Sequence, residues 1–227
     1  MVDNKESDKM ALNETLSPRQ AKQIVTQYES CIDQTIKHIE SGFTDFFVDM
    51  AHEWEDNYAV ELSTKLRTTM GEVKGHLQEN CDKFCDTINS IVNAYAQTGN
   101  MSIKDIIDHF SVGELHIEAN IQETFDGDMF GFKDVESPDK IARAIEQLVK
   151  KLNAVILDTA SKLKSVNAFG NPDVIAELAT SGGRVIEILQ DAVKQVEDST
   201  KENLSKAAQA YKKTGDSARI AANIKKG

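Results

Sequence analysis

Apolar residues recur at steps of three and four along most of this chain, and they fall into successive stripes. The first holds Val25, Tyr28, Ile32, Ile36, Ile39, Phe43, Phe46 and Met50. The second holds Leu62, Leu66, Met70 or Thr69, Val73, Leu77, Cys81, Phe84, Ile88, Ile91 and Tyr95. A third runs through Ile141, Ile145, Leu148, Leu152, Val155 or Ile156, Leu163 and Val166. The fourth runs through Ile175, Leu178, Val185, Leu189, Val193, Val196, Leu204, Ala207 and Tyr211. At about 3.6 residues per turn, such spacing puts one greasy face on each of four long helices.

Start and stop signals agree with that division. Ser17 suits an N-cap, Pro18 a first helical position, and Gln20 the far side of a capping box. His52-Glu53-Trp54-Glu55-Asp56-Asn57 predicts a tight turn, with Asp56 or Asn57 capping the second helix. Gly99-Asn100 predicts its end. Ser137-Pro138 opens the third helix, which is expected to stop near Phe169-Gly170, and Asn171-Pro172-Asp173 opens the fourth. Gly182-Gly183 interrupts the fourth stripe, as a kink or as a place where another helix comes close.

Residues 101–136 read differently. Ser102 to Phe110 predicts a short helix. Leu115, Ile117, Ala119 and Ile121 then alternate with polar residues in a strand period. Asp126-Gly127-Asp128 is turn chemistry and Met129 to Phe132 a returning strand, so this linker is expected to carry a small β-hairpin. The expected organisation is a disordered arm (1–16), a helical hairpin (17–100), the linker (101–136), a second hairpin (137–216) and a flexible tail (217–227).

The two hairpins resemble each other. A shift of 116 positions lays Glu61-Leu62 on Glu177-Leu178, Thr64 on Thr180, Asp82 on Asp198, Ala94-Tyr95 on Ala210-Tyr211 and Thr98-Gly99 on Thr214-Gly215. Neither hairpin covers its own stripes fully, so the expected fold class is all-α: two long antiparallel hairpins packed as an elongated four-helix bundle.

Composition narrows the chemistry. A net charge of −11 argues against a nucleic-acid binder, which would need a basic patch, and against general attraction to anionic lipid. No run reaches the length of a membrane span, and the opening MVDNKESDKMALNE has no apolar signal-peptide core. Cys31, Cys81 and Cys85 are an odd count, and a bridge between Cys81 and Cys85, one helical turn apart, would be strained. Reduced core thiols are expected. Cys81-x3-Cys85 with His76, His38 or Cys31 nearby is short of a structural zinc set. His52, Glu53, Glu55 and Asp56 read as a solvated turn, and Asp126-Gly127-Asp128 lacks the remaining ligands of a calcium loop. No catalytic residue, metal ligand or cofactor is assigned.

Two long helices around a Trp54-centred turn, with Tyr95 near the second helix's end, resemble the Trp-x-Gly hundred-residue family, the Esx-like substrates of type VII secretion. The resemblance covers residues 17–100 and, through Phe169 and Tyr211, residues 137–216. Asp56 stands where the family has Gly, the second turn reads Phe169-Gly170-Asn171, and the acid of the family's Tyr-led export signal, Asp216 after Tyr211, comes one residue late. The resemblance implies helical hairpins that pair as dimers, here fused into one monomeric chain or pairing again as a homodimer. It implies protein partners from a secretion machinery or a co-secreted helical protein, in a Gram-positive bacterium, and export without a cleaved signal. It also implies contact roles for Trp54, Glu55, Asp56, Tyr95, Phe169, Gly170, Tyr211 and Asp216. Beside these roles stand plainer ones: Trp54 as an aromatic plug at the hairpin's end, and the tyrosines as last-turn core residues with a wet hydroxyl. The rival function is a cytoplasmic structural or adaptor bundle with no export.

Overall fold

Ser17 and Gln20 open the first helix by exchanging bonds. The Ser17 N–H donates to Gln20 Oε1 (2.9 Å), and the Gln20 N–H donates to Ser17 Oγ (3.3 Å). The computed structural model describes residues 16–98, 106–115, 131–132 and 136–224. Among them are four helices: α1 (Pro18–Glu53), α2 (Asn57–Thr98), α3 (Ser137–Ser165) and α4 (Pro172–Ile224). Two short strands, β1 (Trp54–Glu55) and β2 (Gly131–Phe132), pair antiparallel, with Trp54 opposite Phe132 and Glu55 opposite Gly131.

Caps explain the boundaries. Asp56 Oδ1 accepts from the N–H groups of Tyr58 (2.7 Å) and Ala59 (2.9 Å), so Asp56, not Asn57, caps α2. Asn171 Oδ1 accepts from the Val174 N–H (3.0 Å), and Pro172 takes the first position of α4. Ser137 begins α3 and its hydroxyl donates to Glu53 Oε2 (2.8 Å).

Several expectations are corrected. The 52–57 stretch is not only a turn, because Trp54 and Glu55 form β1. The returning strand at 131–132 pairs with β1; Leu115 has no regular structure, and residues 116–130, with the Asp126-Gly127-Asp128 turn, lie outside the described residues. The short helix expected over 102–110 is absent from its described part, 106–110. Helix α3 stops at Ser165, and Phe169 and Gly170 then take left-handed backbone (φ 53° and 73°). Helix α4 runs unbroken through Gly182-Gly183 and on to Ile224, where a flexible tail was expected from 217. A Cβ on Gly182 would sit 3.5 Å from Leu163 Cδ1, so that glycine marks a close approach of α3. Gly99-Asn100 and residues 1–15 lie outside the described residues, while Leu16 is buried.

The described residues group into two compact units, and each takes a segment of all four helices. In the first (1–38, 72–115, 154–190) the core holds Ile24, Tyr28, Ile32, Leu77, Phe84, Ile88, Leu163, Val174 and Val185. In the second (39–71, 116–153, 191–227) it holds Phe43, Phe46, Phe47, Met50, Trp54, Leu62, Leu66, Leu148 and Val196. Stripe membership drifts at the ends: Val92 and Ala96 are buried where Ile91 and Tyr95 were expected, and Val174 is buried while Ile175 is half exposed. A period near 3.6 lets either neighbour continue a row, and packing chooses.

The first unit has polar groups inside. Tyr28 Oη and Ser181 Oγ are 2.6 Å apart, and Asn80 Nδ2 donates to both (2.9 Å each) and to the Ser181 carbonyl (3.1 Å). Thr35 Oγ1 and Thr159 Oγ1 are 2.8 Å apart. These side chains tie α1 to α2, α3 and α4 at fixed register, since a slip would leave buried polar atoms unpaired. In the second unit, Glu61, Lys65, Glu202 and Lys206 close a ring of alternating charges between α2 and α4, with ion pairs of 2.7–3.6 Å. All four are partly open to solvent, so the ring adds little to stability.

Candidate functional site

In the second unit, Trp54 follows α1 directly and is fully buried. Its ring lies 5.4 Å from that of Phe132, which meets Tyr211 edge-on at 5.2 Å. The indole N–H donates to Tyr211 Oη at 3.4 Å. Gly131, at φ 89°, lets Tyr211 lie against the β2 backbone; a Cβ there would come 3.0 Å from Tyr211 Cζ. A linker strand thus inserts its Phe between the hairpin turn and the last helix. Glu55 is half buried on β1, and Asp56 is buried as the α2 cap. Asp56 Oδ2 has no hydrogen-bond partner among the described residues. Glu53 accepts from Ser137 and pairs with Lys140 (3.2 Å), which fixes the start of α3 there.

Three of the remaining candidates, Tyr95, Phe169 and Gly170, lie in the first unit. Tyr95 is half exposed, and its hydroxyl donates to Asp173 Oδ2 (2.9 Å) in the first turn of α4. Phe169 and Gly170 form the turn leading into that helix; Phe169 is half buried and Gly170 exposed. The structure therefore gathers Trp54, Glu55, Asp56 and Tyr211 at one place, and Tyr95, Phe169 and Gly170 around a different turn. Asp216 is part of α4, and its side chain lies outside the described residues.

Sequence reasoning missed a third feature. Residues 106–115 lie against α2 as an irregular strap that buries Ile107, Phe110 and Val112. Asn89 Oδ1 accepts from the N–H groups of Ile106 (3.2 Å) and Ile107 (3.1 Å), and Asn89 Nδ2 donates to the Ile107 carbonyl (2.9 Å). Gln78 Nε2 donates to the Phe110 carbonyl (2.9 Å), and Gln78 Oε1 accepts from the Val112 N–H (2.8 Å). His109 Nε2 meets Asp86 at 2.8 Å and its Nδ1 lies 3.7 Å from Asp82, while Lys74 pairs with Glu114. The hydrogen bond to Asp86 raises the His109 pKa, and the charges of Asp86, Asp82 and Asp108 add to it.

The cysteines are free thiols in the core of the first unit. Burial pushes Cys31 and Cys85 up to about 11 and Cys81 higher still, so all three stay protonated and poorly nucleophilic at neutral pH. Burial raises Tyr28 likewise. Among the described residues, no three His, Cys, Asp or Glu side chains gather as metal ligands, and no helix is long and apolar enough to cross a membrane. What these arrangements offer is contact: aromatic stacking at one turn, a Tyr–Asp bond at another, and main-chain recognition along α2. Compared with protein-family models, with curated proteins and with solved structures, the chain matches none.

Proposed function

We propose that this chain is a non-enzymatic helical interaction protein: a tandem Esx-like substrate or partner of a type VII secretion system, acting as a fused dimer. The observation that carries this reading is a reciprocal one. Tyr211 of the second hairpin sits on the turn of the first, against Trp54, and Tyr95 of the first binds Asp173 at the turn of the second. The shift of 116 that relates the two tyrosines in sequence also brings the unit boundaries after His38 and Gly71 to within about three residues of those after Asn153 and Gln190. Both facts support a duplicated hairpin in which each copy supplies what a dimer partner would. The contact residues on this reading are Glu55 and Tyr211 beside Trp54, and Tyr95 with Phe169 and Gly170.

The test is export. In a Gram-positive host with a working secretion ATPase, the chain is expected in the culture medium, and loss of the ATPase should retain it in the cells. Protein found only in the cytosol of the intact host would overturn the reading. Light scattering should give the mass of one chain, as fused halves require.

Burial of Trp54 favours a second reading, a structural adaptor without export. An indole sealed inside the turn is not offered to a receptor, and its plain role is to close the hairpin's end.

A further inference from the structure

The strap of residues 106–115 is held mainly as a peptide is held by a receptor. Two side-chain amides on α2 grip its backbone, each using both its carbonyl oxygen and its NH2 group. Asn89 takes the N–H and carbonyl of one residue, Ile107, while Gln78 takes the carbonyl of Phe110 and the N–H of Val112. Such bonds read main chain and are indifferent to side chain. The spacing fits as well: Gln78 and Asn89 are about 16 Å apart at 1.5 Å per helical residue, and Ile107 to Val112 spans about the same at 3.3 Å per extended residue. Selectivity comes from Ile107, Phe110 and Val112, which are buried, with Phe110 beside Tyr28 (6.4 Å between rings).

From this geometry we infer that the α2 face between Gln78 and Asn89 is a docking site for an extended peptide. The ligand has apolar residues at the spacing of Ile107, Phe110 and Val112, and the chain's own strap is the resident occupant. A partner segment of the same pattern binds by displacing the strap. It runs antiparallel to α2, and a cationic or histidine side chain between the first two anchors meets Asp82 and Asp86 as His109 does. Amide side chains that satisfy a peptide's own N–H and carbonyl groups make the exchange symmetrical, since every bond the strap loses the incoming segment remakes. This inference is independent of the secretion reading.

The experiment uses the full chain and a fluorescein-labelled synthetic peptide spanning Ile106–Leu115. In a chain carrying Phe110→Ala and Val112→Ala the resident strap is weakened, and the peptide should bind saturably by fluorescence polarisation. Wild-type chain should bind at least ten-fold more weakly, because its strap competes. Adding Gln78→Ala and Asn89→Ala should remove binding. Absence of binding to a weakened chain that keeps wild-type helicity would overturn the inference, and so would equal binding of a scrambled peptide. If the weakened chain loses helicity, hydrogen exchange on the wild-type chain decides. Exchange of the Ile107 and Val112 amides at least a hundred-fold faster than the α2 interior marks a displaceable strap, and exchange together with α2 overturns it.

Discussion

The indole nitrogen of Trp54 and the phenol oxygen of Tyr211 are 3.4 Å apart across 157 positions of sequence. Phe132, from the linker, packs on both rings, so three distant stretches meet at one hydrogen bond. Tyr211→Phe keeps the ring and removes the acceptor. It should cost about 1 kcal/mol, whereas Trp54→Ala should cost about 3–5 kcal/mol through lost packing. Because Trp54→Ala removes the chain's one Trp, both variants are compared by far-UV circular dichroism during urea unfolding. A Tyr211→Phe cost equal to that of Trp54→Ala would contradict the division.

Gly131→Ala tests the same place from the backbone. The substitution meets both a φ of 89° and a contact of 3.0 Å with the Tyr211 ring. It should destabilise by about 1–3 kcal/mol and shift the Trp54 emission. Gly183→Ala is the converse case. That glycine lies mid-helix with open space where a Cβ would go, and the change should stabilise by about 0.5–1 kcal/mol. Thermal melts of the two variants should move in opposite directions.

Asp56 caps α2 with one carboxylate oxygen and leaves the other buried without a partner among the described residues. Asp56→Ala should cost about 1 kcal/mol. Asp56→Ser retains a capping oxygen and removes the orphaned one, so it should match or exceed the wild type in urea midpoint. A serine variant that falls below the wild type by as much as the alanine variant would show that the second oxygen is needed.

His109 should make the strap pH-dependent. Its pKa in the folded chain is raised above the ordinary 6.5, chiefly by the bond to Asp86. The stabilising contribution is therefore complete below that ordinary value and lost as pH rises through the raised one. Opening of the strap, read from the Val112 amide after correction for intrinsic exchange, should increase across this window. In His109→Ala it should not.

Asn80, Thr35, Thr159 and Ser181 carry a signal in the sequence itself. Each sits three residues after a member of an apolar stripe (Leu77, Ile32, Ile156 and Leu178), at a place where the row should continue greasy. Polar residues in that position are buried partners in waiting, and the structure pairs all four. Asn80→Ala removes the donor shared by Tyr28 and Ser181 and should cost about 1–3 kcal/mol. In a cycle with Ser181→Ala the two changes should be non-additive, because they act on one network.

The sequence by itself determined the helices: four apolar rows at helical spacing, and caps and prolines at their starts, are local properties that neighbours along the chain enforce. It also marked the 52–57 stretch as the break between the first two helices. Only the tertiary structure decided where the linker goes. Gly131-Phe132 pairs with Trp54-Glu55, and 106–115 is irregular because Gln78 and Asn89 satisfy its backbone from another element. Nothing in the alternation of residues 115–122 could disclose either outcome, since a strand pattern names a face but not its partner. The physical reason is range: helix hydrogen bonds close within four residues, and the bonds that place a linker close across the fold.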